Sequence, residues 1–348
     1  MSRNWNILNW NVRGINSQIR WDDIRAKIEE SNYGIICLQE TKRDYFDQAY
    51  LRNFSPRRYN QFAYSASVGL SGGIITIWNG SLFTGSIVSQ NTYQITVRLS
   101  CNLSGNIFYI SNIYGPCLND DRAEFFEWLN NIDASQMDHW ILMGDFNLIR
   151  SPHDRNRPRG DTNNMLMFNS LLQQQDLVEI PIKGRNFTWS NMQDSPLLEK
   201  LDWIFTSANW TLNFPNTLAH PLARVTSDHI PIHIQIGSDI PKSSIFRLEN
   251  YWFEFDGFYE TVIQCWNRNQ QMTNSAKDTA ARFKCLRMGL KKWSRNLSKL
   301  NTKISTCNYV ISMIDGIEDQ RTLSTIEANF RIIVKKHITK LLEIKRLY

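Results

Sequence analysis

Through residues 1–237, short runs of apolar or β-prone residues alternate with turn formers. The runs fall at 5–12, 34–38, 73–78, 93–99, 107–113, 140–143, 187–190, 201–206 and 230–236. Runs of this length bounded by turn residues predict strands. Between them, 19–30, 122–131 and 165–174 carry a helical period, with Phe125, Phe126 and Leu129 on one side of the second. Strands with a few inserted helices predict an α/β fold, a four-layered sandwich of two packed sheets flanked by helices. No repeat at a fixed period is visible.

The pattern changes at GSDIPKSS, residues 237–244, which gathers turn and breaker residues after the last predicted strand. The division expected is therefore a domain over 1–238 and a helical extension over 239–348. In the extension Phe283, Leu286, Leu290, Trp293, Leu297, Leu300 and Ile304 recur at spacings of three and four. Phe330, Ile333, Val334, Ile338, Leu341 and Leu342 repeat the period. Two such seams predict a helical hairpin turning at 315–321, or a face for a helical partner.

Composition narrows the class. With 42% hydrophobic and 12% aromatic residues, the chain can bury at least one full core. No apolar stretch reaches the roughly 18 residues that a membrane helix needs. The opening MSRNWNILNW has no apolar core before a small-residue cleavage site. A soluble intracellular protein without membrane contact is expected. The six cysteines lie far apart with no C-x-x-C pair, which predicts reduced thiols. The net charge of +6 is uneven: residues 1–238 hold 20 Lys+Arg against 22 Asp+Glu, and 239–348 hold 19 against 11. Lys284, Arg287, Lys291, Lys292, Arg295, Lys299 and Lys303 fall away from the first seam and are candidate nucleic-acid contacts.

Acidic and amide residues collect at the ends of the predicted strands, where a sheet delivers side chains to its rim. Asn11 lies in NWNVRG, Glu40 in CLQETK, Tyr114 in ISNIYGP, Asp145 and Asn147 in GDFN, Asp202 in KLDWIF, and Asp228 with His229 in TSDHIPI. Each alone reads as a turn former or a solvated charge. Their shared address at strand ends makes them a candidate site.

NWNVRG, LQET, IYGP, GDFN, KLDWIF and SDH, in that order over about residues 4–237, resemble the endonuclease/exonuclease/phosphatase superfamily of DNase I and exonuclease III. The sequence is most similar to the apurinic-like endonuclease domain that opens the second reading frame of LINE-type (non-LTR) retrotransposons, particularly plant ones. GDFNLIRSP with the basic DRNRPRGD, NFTWSN and FRLENYW carry this narrower match. Those elements continue into a reverse transcriptase, and no Y-x-D-D-type core occurs here.

The resemblance implies a metal-dependent phosphodiester hydrolase that nicks DNA, with Mg²⁺ as cofactor and Mn²⁺ as a substitute. A hard cation with oxygen ligands fits that chemistry. Glu40 would be the first ligand, helped by Asp228 and the Asn11 amide oxygen. Asp145 would activate water or protonate the leaving oxygen, and Asn147 would hold water or phosphate. Asp202 would orient His229 for a phosphate contact, and Tyr114 would donate from the opposite wall. Arg13, Lys42, Arg155, Arg157 and Arg159 are candidate phosphate contacts. Trp189 and the loop 190–198 match the hairpin that leans into the DNA groove in related nucleases. A monomer acting in the nucleus is expected, although no clear targeting signal is present. Abasic DNA, RNA or another phosphoester as substrate, or an idle nucleic-acid-binding remnant, remain open alternatives on sequence alone.

Overall fold

The computed structural model describes residues 2–3, 5–68, 71–134, 137–158, 160–224, 226–237, 240–241, 248, 252–253, 256–267, 275–294 and 298–347. Arg159, Arg295 and most of FRLENYW lie outside the described residues.

Two six-stranded sheets form the centre. The first runs, in spatial order, β14 (Leu218–Pro221), β15 (Ile232–Gln235), β2 (Asn6–Asn11), β3 (Tyr33–Gln39), β5 (Ser71–Asn79) and β4 (Tyr59–Val68). The second runs β10 (Val178–Glu179), β13 (Asp202–Thr206), β9 (Trp140–Asp145), β8 (Ile107–Tyr114), β7 (Gln94–Cys101) and β6 (Phe83–Gln90). A short hairpin joins β11 (Trp189–Ser190) to β12 (Leu198–Glu199), and β1 (Ser2–Arg3) pairs with β16 (Ile240–Pro241).

Each large sheet holds one parallel pair, β2 with β3 and β8 with β9, among antiparallel neighbours. A parallel pair needs a crossover, and helices α1 (Gln18–Glu29) and α3 (Arg122–Asn130) lie in the two connections. Ser17 caps the first of these, accepting from Arg20 N. Helix α2 (Gln48–Leu51) is a single turn, α4 (Thr162–Gln174) is capped by Asp161, and α5 (Ala208–Asn213) by Ser207.

The strand alternation distributes apolar side chains into three cores. Ile7, Ile35 and Ile74 of the first sheet share a buried cluster with Val97, Ile110, Ile141 and Ile204 of the second. On the other face of the first sheet, Leu8, Ile36, Leu38 and Ile77 cluster with Ile24 and Ile28 of α1. Beyond the second sheet, Leu142, Trp203 and Phe205 cluster with Phe125 and Leu129 of α3 and Phe168 and Leu172 of α4. The result is the four-layered α/β sandwich.

Several elements differ from the sequence expectation. Strands β4, β6, β10 and β14 have no counterpart among the predicted runs. All four are sheet edges, where one side of the ladder is free and less apolar surface is needed; β6 is largely exposed beyond Phe83. The run at 187–190 forms only the two residues of β11.

The chain divides into two compact units. One comprises Met1–Lys242 together with Ile311–Ala328, and the other Ser243–Val310 together with Asn329–Tyr348. No feature of the sequence pattern assigns 311–328 to the sheets. Helices α6 (Phe258–Asn267), α7 (Ser275–Ser294), α8 (Ser298–Glu318) and α9 (Thr325–Leu347) follow the sandwich. The seam at 283–304 thus spans two helices, and α8 runs into the expected turn as far as Glu318. Leu290, Ile304, Val334, Ile338 and Leu341 are buried, whereas Phe283, Phe330 and Ile333 are exposed. Trp252, Phe258 and Leu290 form a small core in the second unit. Among the described residues no helix is long and apolar enough to cross a membrane.

Candidate active site

Strand register brings the candidate residues together. In the second sheet Asp145, the last residue of β9, lies opposite Tyr114 of β8 on one side and Asp202 of β13 on the other. In the first sheet Asn11 closes β2 opposite Gln39, and Glu40 follows directly. The segments beyond these strand ends stay paired, with Val12 N donating to Gln39 O at 3.1 Å and Gly14 N to Glu40 O at 2.7 Å.

The two sheets meet at a bond between side chains. Asn11 Nδ2 donates to Asp145 Oδ2 at 2.8 Å, while Asn11 Oδ1 accepts from Arg13 N at 3.0 Å. The other carboxylate oxygen, Asp145 Oδ1, accepts from Asn147 N at 2.9 Å. Asn147 Nδ2 donates to Gly115 O at 2.8 Å, tying GDFN to the YGP turn. This approach leaves no room for side chains. A Cβ on Gly144 would sit 2.0 Å from Ile113 O, and one on Gly115 would sit 2.2 Å from Phe146 O. Gly144 also has φ +145°, a backbone state that side chains disfavour.

His229 lies between two carboxylates. Its Nδ1 is 2.7 Å from Asp202 Oδ2, and its Nε2 is 3.4 Å from Asp145 Oδ2. All three side chains are buried. Burial alone would lower the His229 pKa, but Asp202 and then Asp145 outweigh it and raise it to about 10. The two carboxylates thus favour the protonated ring, the form in which Nδ1 donates to Asp202. Burial pushes Asp145 up to about 7, opposed by His229 and reinforced by Asp202. Tyr114, raised chiefly by burial and then by Glu40, keeps its phenolic proton and lies 3.5 Å from Cys117 Sγ.

Glu40 and Lys42 form an ion pair of 3.0 Å at the first sheet's rim, and both have positive φ. Arg13 pairs with Asp228 Oδ2, which also accepts from Trp189 Nε1 at 2.9 Å. Arg155 is bound to Glu199 at 3.3 Å, and Arg157 donates to Ser195 O. The structure thus joins Asn11, Asp145, Asn147, Asp202, Asp228, His229, Arg13 and Trp189 in one bonded network. Glu40, Lys42 and Tyr114 adjoin it through the strand register. Arg155 and Arg157 instead belong to the loop and hairpin around β12.

Three further residues support the network. Ser227 Oγ donates to Asn11 O at 2.7 Å and accepts from His229 N at 3.1 Å. Thr188 Oγ1 accepts from Asp202 N at 3.0 Å, and Trp10 Nε1 donates to His229 O at 3.3 Å. Ser227 and Thr188 stand inside SDH and FTWSN, the only sequence signal for them.

The family model for Endonuclease/Exonuclease/phosphatase matches residues 8–229, from the first strand of the site to its histidine. The chain belongs to the Endonuclease/Exonuclease/phosphatase family. A curated relative, "Transposon TX1 uncharacterized 149 kDa protein" of Xenopus laevis, is 23% identical over 273 residues, 74% of this chain. The chain spans 20% of that relative's length. Among solved structures, the AP endonuclease LMAP of Leishmania major is 18% identical with TM-score 0.53, covering 69% of this chain and 89% of that one. The Xenopus laevis APE2 catalytic domain is 17% identical with TM-score 0.53, covering 69% of this chain and 94% of that one. These two share the fold with this family member.

The donor set fits a hard divalent cation of the Mg²⁺ kind. Among the described residues no group of three or more His, Cys, Asp and Glu side chains could hold a metal. Mg²⁺ asks for less, since it takes one or two carboxylates and keeps several waters. Glu40, the Asn11 amide oxygen and Asp228 supply oxygens of that kind, and each also has a protein partner: Lys42 for Glu40, Arg13 N for Asn11, and Arg13 with Trp189 for Asp228.

Proposed function

We propose that the protein is a Mg²⁺-dependent DNA endonuclease of the kind found in LINE-type retrotransposons, nicking one strand and leaving a 3′-hydroxyl. The observation that supports it most is the buried chain Asp202–His229–Asp145–Asn11, which sets an acid, a base and an oriented amide side by side at the rim of two sheets. Glu40 and Asn11 would hold the cation, which when bound neutralises phosphate charge.

The chain's own residues divide the remaining work. Asp202 fixes the His229 ring through Nδ1, so the imidazolium presents charge toward the phosphate from its other side. Asp145, raised by burial to a value near neutrality, takes the proton of the attacking water. Asn147, locked between Asp145 and Gly115, positions that water. Tyr114 remains protonated and donates to a phosphate oxygen. Arg13 neutralises Asp228 and reaches solvent, with 52% of its side chain exposed beside the site. With nuclear DNA as its target, the protein would act in the nucleus.

Attack on phosphorus with departure of the 3′ oxygen leaves an end that a polymerase extends. Nicked DNA from the purified protein is therefore expected to be extended directly by an added polymerase. A nick that needs phosphatase treatment first would contradict this reading.

A further inference from the structure

Two arginines buried behind the site have partners that the motifs do not supply. Arg224, whose side chain is 0% exposed, pairs with Glu318 at 2.9 Å. Arg185 pairs with Asp315 at 3.1 Å and Asp319 at 3.4 Å, and Asn186 N donates to Asp319 Oδ2 at 3.1 Å. All three acids belong to 311–328, the segment that forms one compact unit with the sheets.

Both arginines stand at the feet of segments that carry site residues. Arg224 Nη1 donates to the backbone oxygen of Asp228 at 3.4 Å. Arg185 lies four residues before Trp189, whose indole reaches Asp228 and whose backbone bridges to His229. The two segments are stitched together, with Ser190 N donating to Asp228 O at 3.1 Å and Ile230 N to Thr188 O at 2.9 Å. The acids therefore brace the 185–190 and 224–230 segments through two guanidinium groups. A buried ion pair is a poor source of net stability, yet losing one partner strands a charge in the interior.

We infer that 311–328 is a positioning clamp for the active site, with Asp315, Glu318 and Asp319 holding Asp228 and His229 in register through Arg185 and Arg224. A site completed by residues far beyond the last family motif is not confined to 1–238. In its catalytic consequence the inference rests on the nuclease reading; in its structural consequence it does not.

The test uses the full chain with D315N and E318Q combined, each replacement keeping size and an acceptor oxygen. Hydrogen exchange at the Ser190 and Ile230 amides is expected to speed up about tenfold, while Leu142 and Met143 in β9 stay protected. In plasmid nicking with Mg²⁺, kcat is expected to fall about tenfold with KM within about twofold, because chemistry and not binding loses its alignment. Wild-type exchange at both amides would overturn the clamp, as would local loosening that leaves kcat unchanged. If the double variant does not fold, E318Q alone is read by the same criteria. If the wild-type chain fails to nick, the nuclease reading falls, and the exchange measurement still decides whether the clamp exists.

Discussion

Asn11 and Asp145 sit at the ends of strands in different sheets, and one hydrogen bond of 2.8 Å between their side chains ties those ends together. Both residues are buried, so the bond is made out of reach of bulk water. Asp145 thereby has a donor for each carboxylate oxygen, Asn11 on one and the Asn147 backbone on the other.

Removing that amide with Asn11→Ala leaves a buried acceptor short of its partner, at a cost of about 1–3 kcal/mol. The melting temperature is expected to fall, and the nicking rate to drop by roughly tenfold or more as Asp145 loses its fixed orientation. Thermal melting and single-turnover nicking on the same preparation check both. A variant with the wild-type rate would remove Asn11 from the site.

Asp202→Asn keeps the shape of the side chain and removes the charge that holds the His229 ring. The rate is expected to fall by about 10²–10⁴-fold with little change in KM. Steady-state kinetics on one duplex separates the two constants, and a rise in KM alone would assign Asp202 to binding.

His233 gives a pH dependence away from the site. Burial, and then repulsion from His220, lowers its pKa to about 4, and Nδ1 lies 3.1 Å from the Tyr33 hydroxyl. An unfolded chain takes up this proton near pH 6.5. Below that value the unfolded state binds a proton that the native state resists, so stability declines from about pH 6.5 until the native group titrates near pH 4. His233→Gln removes this effect, and its stability is expected to fall less steeply over that window in urea titrations at stepped pH. Parallel curves for both proteins would contradict the assignment.

The candidate site residues are legible in the sequence because each stands at one end of an apolar run, a place where buried strands bring polar side chains to a rim. What the sequence does not convey is set by register and by distant contacts. Asp145 faces Asp202 only because β9 and β13 pair antiparallel in one alignment. Arg224 meets Glu318 across 94 positions, a pairing that no local pattern encodes. The edge strands β4 and β6 escape the pattern for a related reason, since strands at a margin carry a weaker apolar signal. Arg13 and Arg155 read as phosphate contacts from charge alone, while the structure gives each a carboxylate partner, Asp228 and Glu199.

The basic helix α7 offers a separate measurement. Lys284, Arg287, Lys291 and Lys292 are exposed along it. Replacing all four by Gln is expected to weaken DNA binding and to lower the slope of log K against log salt by about 0.9 for each phosphate that is no longer neutralised. Equal slopes for the two proteins in a salt titration would show that these charges are only solvated.

The central claim is tested most directly by conversion of supercoiled plasmid to the nicked circle, using the full chain and its His229→Ala variant, each with Mg²⁺ and with EDTA. The account predicts nicking by the wild-type chain with Mg²⁺ alone, and none by the variant in either condition. Nicking that persists in EDTA, or that the folded variant retains at the wild-type rate, would contradict it.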